Sequence, residues 1–212
     1  GVVGTLVNLV DATAGYGDLQ RIEPRTVYDF MSQVLQTTCK RSRHRVDAHR
    51  DPSKTVGTVV HPVEARHDRQ EDLRGEPFVG PSGQMLDKML QHVLGLPREA
   101  VYITNTVKCR PPNDRNPELD EVEACHPFLM RQIRSVEPKL ILVLGTVAFQ
   151  ILFRTNAGIT RNRGRWRNFE GIPVMPTFHP AYLLRKPDDK RHTFEDLKAL
   201  RAKYDELGGA RD

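Results

Sequence analysis

A chain of 212 residues with 38% hydrophobic content is long enough for one well-buried domain and a small appendage. No apolar run is long enough to cross a bilayer and the start carries no signal peptide, so the expected setting is the cytoplasm and the expected state a monomer. The net charge of +5 favours an anionic partner such as nucleic acid, and three cysteines, an odd number, argue against a disulfide framework and leave free thiols or metal ligands.

Residues 1–38 read as a variable lead, Gly-rich at first and then carrying one amphipathic helix from about Pro24 to Leu35. Residues 40–69, "KRSRHRVDAHRDPSKTVGTVVHPVEARHDR", are crowded with Arg, His and Asp and offer one short strand, "TVGTVV". That segment is atypical of a packed domain. From residue 71 the pattern is cleaner. The loop "EDLRGEPFVGP" places Phe78 among glycines and prolines, and a helix follows with Ser82 as its expected N-cap and apolar residues Met85, Leu86, Met89, Leu90, Val93 and Leu94 at helical spacing.

A strand "VYIT" (101–104) leads into a polar, Pro-rich loop. A second helix is expected to start near Pro117 and to break or kink at Pro127. The continuous apolar run "KLILVLG" (139–145) predicts a buried strand, "TVAFQILF" a helix, "IPVMPTF" (172–178) a strand, and residues 193–207 a terminal helix. Strands separated by helices imply an α/β fold, a mainly parallel sheet covered on both faces. Ligands of such sheets bind beyond the carboxyl ends of the strands, where Asn105 follows "VYIT" and His179 follows "IPVMPTF".

Each of these side chains has two readings. Phe78 is either an apolar anchor for its loop or a ring on which a base stacks, worth about 1–3 kcal/mol per base in nucleic-acid sites. Asn105 is either a turn residue or a carboxamide whose donor and acceptor pair with a pyrimidine edge. His179, held extended by Pro180, is either structural or a donor to an oxygen that gains negative charge. Arg185, Lys186, Lys190 and Arg191 form either a solvated surface or a set of phosphate contacts. Cys39, Cys109 and Cys125 lack the close CxxC pairing of a zinc site, and are either small buried side chains or part of an iron–sulfur site.

Taken together, "EDLRGEPFVGPSGQMLD", "YITNTVKCRPPNDRNP", the Cys109 to Cys125 spacing, "PKLILVLGTVAF", "GITRNRGRWRNFEGIPVMPTFHPAYLLRKPDDKR" and "FEDLKAL" resemble the family 4 uracil-DNA glycosylases, the iron–sulfur type. The resemblance covers about residues 70–205 and makes 39–207 one domain, with 208–212 a tail. It implies a three-layer αβα fold around a short, mainly parallel four-stranded sheet, and hydrolysis of the N-glycosidic bond of uracil in DNA. By the same carry-over Phe78 stacks on the flipped-out uracil, Asn105 reads its pairing edge and His179 holds the oxygen that gains charge. Cys109, Cys125 and Cys39 would be ligands of a [4Fe-4S] cluster.

This sequence departs from the family's pattern in two places. Where the family carries Gly-Glu-Ala-Pro-Gly, counting back from Glu71 and Asp72 without gaps gives Glu64, Ala65, Arg66, His67 and Asp68. Arg and His take the φ > 0 geometry that glycine permits only with strain. Glu64, Ala65 and Arg66 thus stand where the family's backbone touches uracil; with a one-residue shift Glu64 matches the family's acidic residue and is the candidate to activate water, with Glu71 or Asp72 as alternatives. The upstream cysteine pair is reduced to Cys39, which leaves a three-cysteine cluster, a substitute ligand or no cluster. The expected alternative function is therefore a DNA-binding relative that has lost catalysis. A nucleotide-binding module is disfavoured, because no Gly-rich phosphate loop follows any strand.

Overall fold

The computed structural model describes residues 5–9, 80–107, 111 and 115–208. The predicted helix at Pro24 to Leu35, the strand "TVGTVV" and the whole atypical segment lie outside them.

Among the described residues five strands form one sheet in the order β2-β1-β3-β5-β4: β1 (Thr5–Leu9), β2 (Val101–Asn105), β3 (Leu140–Leu144), β4 (Arg167–Phe169) and β5 (Ile172–Thr177). β1 is antiparallel to both β2 and β3, and β3 is parallel to β5. Hence β2, β3 and β5 run the same way and end at one rim. The α/β class agrees with the sequence, but the sheet is mixed rather than mainly parallel, since among the described strands only β3 and β5 pair in parallel. It holds five strands rather than four: β2, β3 and β5 as expected, β1 from the lead, and β4 from a short hairpin. Every residue of β1 and β3 is buried. Successive side chains of a strand point to opposite faces, so both faces of the sheet centre must be covered.

The cover comes in two groups. On one side α1 (Pro81–Met89), which widens into a π turn at Leu90–Leu94, packs with α5 (Pro180–Arg185) and α6 (Lys190–Glu206). The other group is α3 (Gly145–Phe153) and α4 (Ile159–Asn162), which pack on each other and on β5, while α2 (Leu119–Val136) packs on β2.

Three local expectations are corrected. The cap of α1 is Gly80, not Ser82, because Pro81 occupies the first turn, where a fixed φ and a missing N–H suit a helix start. α2 begins at Leu119 rather than Pro117: Glu118 and Glu121 form a capping box, the Glu118 N–H donates to Glu121 Oε2 at 2.8 Å, and Arg115 clamps Glu121 through two 2.8 Å bonds. That ion pair, with the Arg115 hydrogen bond first, holds the Glu121 carboxyl below its ordinary range. Nor does Pro127 break α2, which continues for a further nine residues to Val136. An interior proline costs roughly 3 kcal/mol. Burial of Phe128, Leu129, Met130, Ile133 and Val136 on the following turns offsets it.

Candidate active site

The register of the sheet sets four residues in one row across the rim: Asn105 opposes Thr5, Thr5 opposes Leu144, and Leu144 opposes Thr177. All four are buried. Directly opposed residues share a face, and here the Thr5 hydroxyl donates to Asn105 Oδ1 at 2.8 Å. That bond fixes the plane of a carboxamide which carries a donor and an acceptor side by side, the complement of a pyrimidine edge that offers one of each.

His179 stands two residues beyond Thr177, 8% exposed, and caps α5. Its Nδ1 accepts the Ala181 N–H at 3.1 Å, so in the neutral ring the proton sits on Nε2, which becomes a donor. An imidazole fixed in that tautomer is suited to stabilise a developing oxyanion.

Gly145, at the turn from β3 straight into α3, has φ +85°, and a Cβ added there would lie 3.0 Å from His179 Cβ. Only glycine tolerates both the backbone angle and the approach. The start of α3, directly after β3, therefore passes close against the base of His179.

A second row of bonds anchors the backbone just before His179. The Thr177 hydroxyl donates to Asp196 Oδ2 at 2.6 Å, Arg163 Nε donates to the same oxygen at 3.0 Å, and the guanidinium also closes on Oδ1. Arg163 further donates to the His192 carbonyl at 2.6 Å. Burial pushes the Asp196 carboxyl above its ordinary range, with Thr177 and Arg163 pulling the other way. The Arg163 guanidinium carbon also lies 5.7 Å from the centre of the Phe178 ring. So α6, the turn before β4 and the end of β5 are tied together at the base of His179.

Of the residues singled out in the sequence, Asn105 and His179 fall on this rim, from β2 and from the end of β5. Phe78, Glu64, Ala65, Arg66, Glu71, Asp72, Cys39 and Cys109 lie outside the described residues. Cys125, on α2, is half-buried against Val107, Val122, Val147 and Ile151. Among the described residues no group of three or more His, Cys, Asp or Glu could hold a metal ion. Sequence reading missed Thr5, Gly145, Arg163 and Asp196. For Thr5 and Asp196 their partners stand 100 and 19 residues away, beyond any local pattern. Gly145 alone left a signal, a glycine between a buried strand and a helix.

A cavity of about 320 Å³, lined by His126, Phe153, Arg154 and Glu170 among others, contains none of the rim residues. Burial first, then the nearby Arg154 charge, holds the His126 imidazole below its ordinary range.

A family model described as the uracil DNA glycosylase superfamily matches residues 64–200. The chain is 45% identical over 139 residues to the type-4 uracil-DNA glycosylase of Sulfurisphaera tokodaii, a match that covers 62% of this chain and 63% of that protein. It is 42% identical to the enzyme of the same name from Saccharolobus solfataricus, over 62% and 64% of the two chains. With that of Archaeoglobus fulgidus the identity is 41%, over 62% and 70%. The match thus spans a little under two thirds of the first two relatives.

Proposed function

Because the chain belongs to the uracil DNA glycosylase superfamily, and within it to the type-4 group, we propose that it hydrolyses the N-glycosidic bond of uracil in DNA and leaves an abasic site. The observation that carries this reading is the shared rim: the Asn105 carboxamide, fixed by Thr5, and His179, fixed by Ala181 N–H and Gly145, stand at the carboxyl ends of β2 and β5, strands that run the same way with β1 and β3 between them.

The proposed chemistry begins with a flipped-out deoxyuridine, at a cost of a few kcal/mol that is smallest for a mispaired base. Asn105 accepts from the uracil N3–H and donates to O4. Cytosine presents the reverse pattern, a donor on its exocyclic nitrogen and an acceptor at N3, and fails that match. Phe78 stacks on the ring; its chain enters α1 at Gly80, and α1 packs on α5, the helix that His179 caps. As the bond to the sugar lengthens, charge separates into an oxocarbenium-like sugar and a uracil anion. His179 Nε2–H donates to the uracil carbonyl oxygen that gains the charge. Water then attacks the sugar, with Glu64, Asp72 or Glu71 as its activator and Ala65 and Arg66 lending backbone contacts to the base.

The direct test is a uracil-containing oligonucleotide incubated with the purified chain and then cleaved in alkali. Strand breaks at the uracil, and none in a cytosine control, are expected. Binding without breaks would instead favour a DNA-binding relative disabled at positions 64–68.

A [4Fe-4S] cluster fits Cys125 in part. Cys125 is half-buried in an apolar patch that includes Val107, two residues before Cys109 in the chain. Cys109 and Cys125, with Cys39, would hold the cluster, which would clamp the Pro-rich loop to α2 and take no part in bond cleavage. A broad visible absorption from iron-bound thiolate is expected of the anaerobically purified protein, weakened in Cys125→Ser. A colourless, iron-free protein would remove the cluster from this reading.

A further inference from the structure

The turn that feeds β4, "TRNRGRWRN" at 160–168, is rigid at its root and cationic at its tip. Its root is Arg163, bound to Asp196 and to the His192 carbonyl, followed by Gly164 at φ +69°. A Cβ on Gly164 would meet Asp196 Oδ1 at 2.6 Å, so the turn is built around that carboxylate. The Gly164 N–H donates to the Pro176 carbonyl at 3.0 Å, and the β4–β5 register pairs Arg167 with Val174. Continued backward, it runs Trp166 and Arg165 alongside the carboxyl end of β5, the end that leads to His179.

On this frame Trp166 is 39% exposed, and Arg161, Arg165 and Arg167 of the same segment are exposed as well. Arg167 is held by Asn162 at 2.6 Å. Neither Arg161 nor Arg165 has an ion-pair partner among the described residues, in contrast to Arg163. A large ring left half in water on a segment whose Arg161 and Arg165 have no ion-pair partner among the described residues, at the edge of the candidate rim, matches the chemistry of a strand with unpaired bases. Rings stack on exposed base faces, and guanidinium groups take phosphates.

We propose that this turn is a docking surface for an unpaired stretch of DNA, with Trp166 stacked on a base and Arg161 and Arg165 on backbone phosphates. The inference rests on the glycosylase reading only for the identity of the nucleic acid. It adds a contact for a nucleotide other than the one excised.

Trp166 is the sole tryptophan in the chain, so its emission reports on the turn alone. The experiment titrates the full chain with an undamaged single-stranded oligodeoxythymidine, following tryptophan emission and, in parallel, polarisation of a labelled strand. Quenching is expected to track binding, and to be much weaker with a blunt, fully paired duplex. Trp166→Ala should bind the single strand about tenfold more weakly, while Trp166→Phe, which keeps a ring, should stay within about twofold. Arg161→Gln with Arg165→Gln should lower the slope of log affinity against log salt by about 0.7 per lost phosphate contact.

Binding with no change in emission, equal quenching by strand and duplex, or unchanged affinity in Trp166→Ala would each overturn the proposal, as would the absence of DNA binding. Uracil release is measured on the same preparation. Release with a silent tryptophan would sink the docking surface and leave the glycosylase standing; quenching without release would do the reverse.

Discussion

Replacing His179 with Ala is expected to slow uracil release about a hundredfold to a thousandfold, the usual consequence of deleting one donor aimed at a developing oxyanion. The geometry makes the effect specific. Nδ1 is committed to the Ala181 N–H, so the ring has one orientation and one proton position to offer, and the close approach of Gly145 packs against its Cβ. Alanine also removes the cap of α5, which costs about 0.5–2 kcal/mol. A slower enzyme could therefore reflect a loosened helix. His179→Asn separates the two effects, because asparagine is itself a good N-cap but cannot place a donor where Nε2 stands. The expected result is a melting temperature near that of the parent chain for Asn, with single-turnover release nearly as slow as for Ala. Parental release rates in both variants would remove His179 from the chemistry.

The site was only partly legible in the sequence, for physical reasons. Asn105 and His179 could be placed because each directly follows a run whose apolar character marks a strand, and ligands of open α/β sheets gather where strands end. Their environment could not be placed. Thr5 lies in a lead whose short apolar run, "TLVNLV", shows no alternation that would mark it as a strand, and its bond to Asn105 spans 100 positions. A central strand buried on both faces looks locally like any other short apolar run. The same limit explains β4, three residues long and mostly exposed, which pairs only because the chain turns back at Glu170 and Gly171, both with positive φ.

Pro127 illustrates a different limit: of the break or kink expected there, the break does not occur. Its local rule, that proline stops a helix, was sound as a statement about the isolated segment. The rule was overridden by tertiary packing, since the turns after Pro127 bury five side chains that the helix would lose by ending there. At Ser82 two local rules competed for one helix start, and the proline rule prevailed over the serine cap.

The second large effect is on stability, and it tests whether the base of His179 is held as the bonds suggest. Asp196→Ala would leave the Arg163 guanidinium, 18% exposed in its side chain, buried without its counter-charge, and would remove the acceptor of the Thr177 hydroxyl. Breaking a buried pair from one side costs about 3–5 kcal/mol. The expected reading is a large fall in the denaturant midpoint with an unchanged slope. Removing both partners, with Leu at 163 and at 196, should recover most of the loss, because apolar residues of similar size leave no charge stranded. Asp196→Asn isolates the titration. Burial raises the Asp196 pKa in the folded state, so the folded chain holds that proton more tightly than the unfolded chain does. This group's contribution is therefore complete below the unfolded carboxylate pKa and declines as pH rises through the folded one. Relative to Asp196→Asn, the parent chain should lose stability across that window. A parent that instead gained stability over it would mean that the Arg163 pair, not burial, governs the carboxylate.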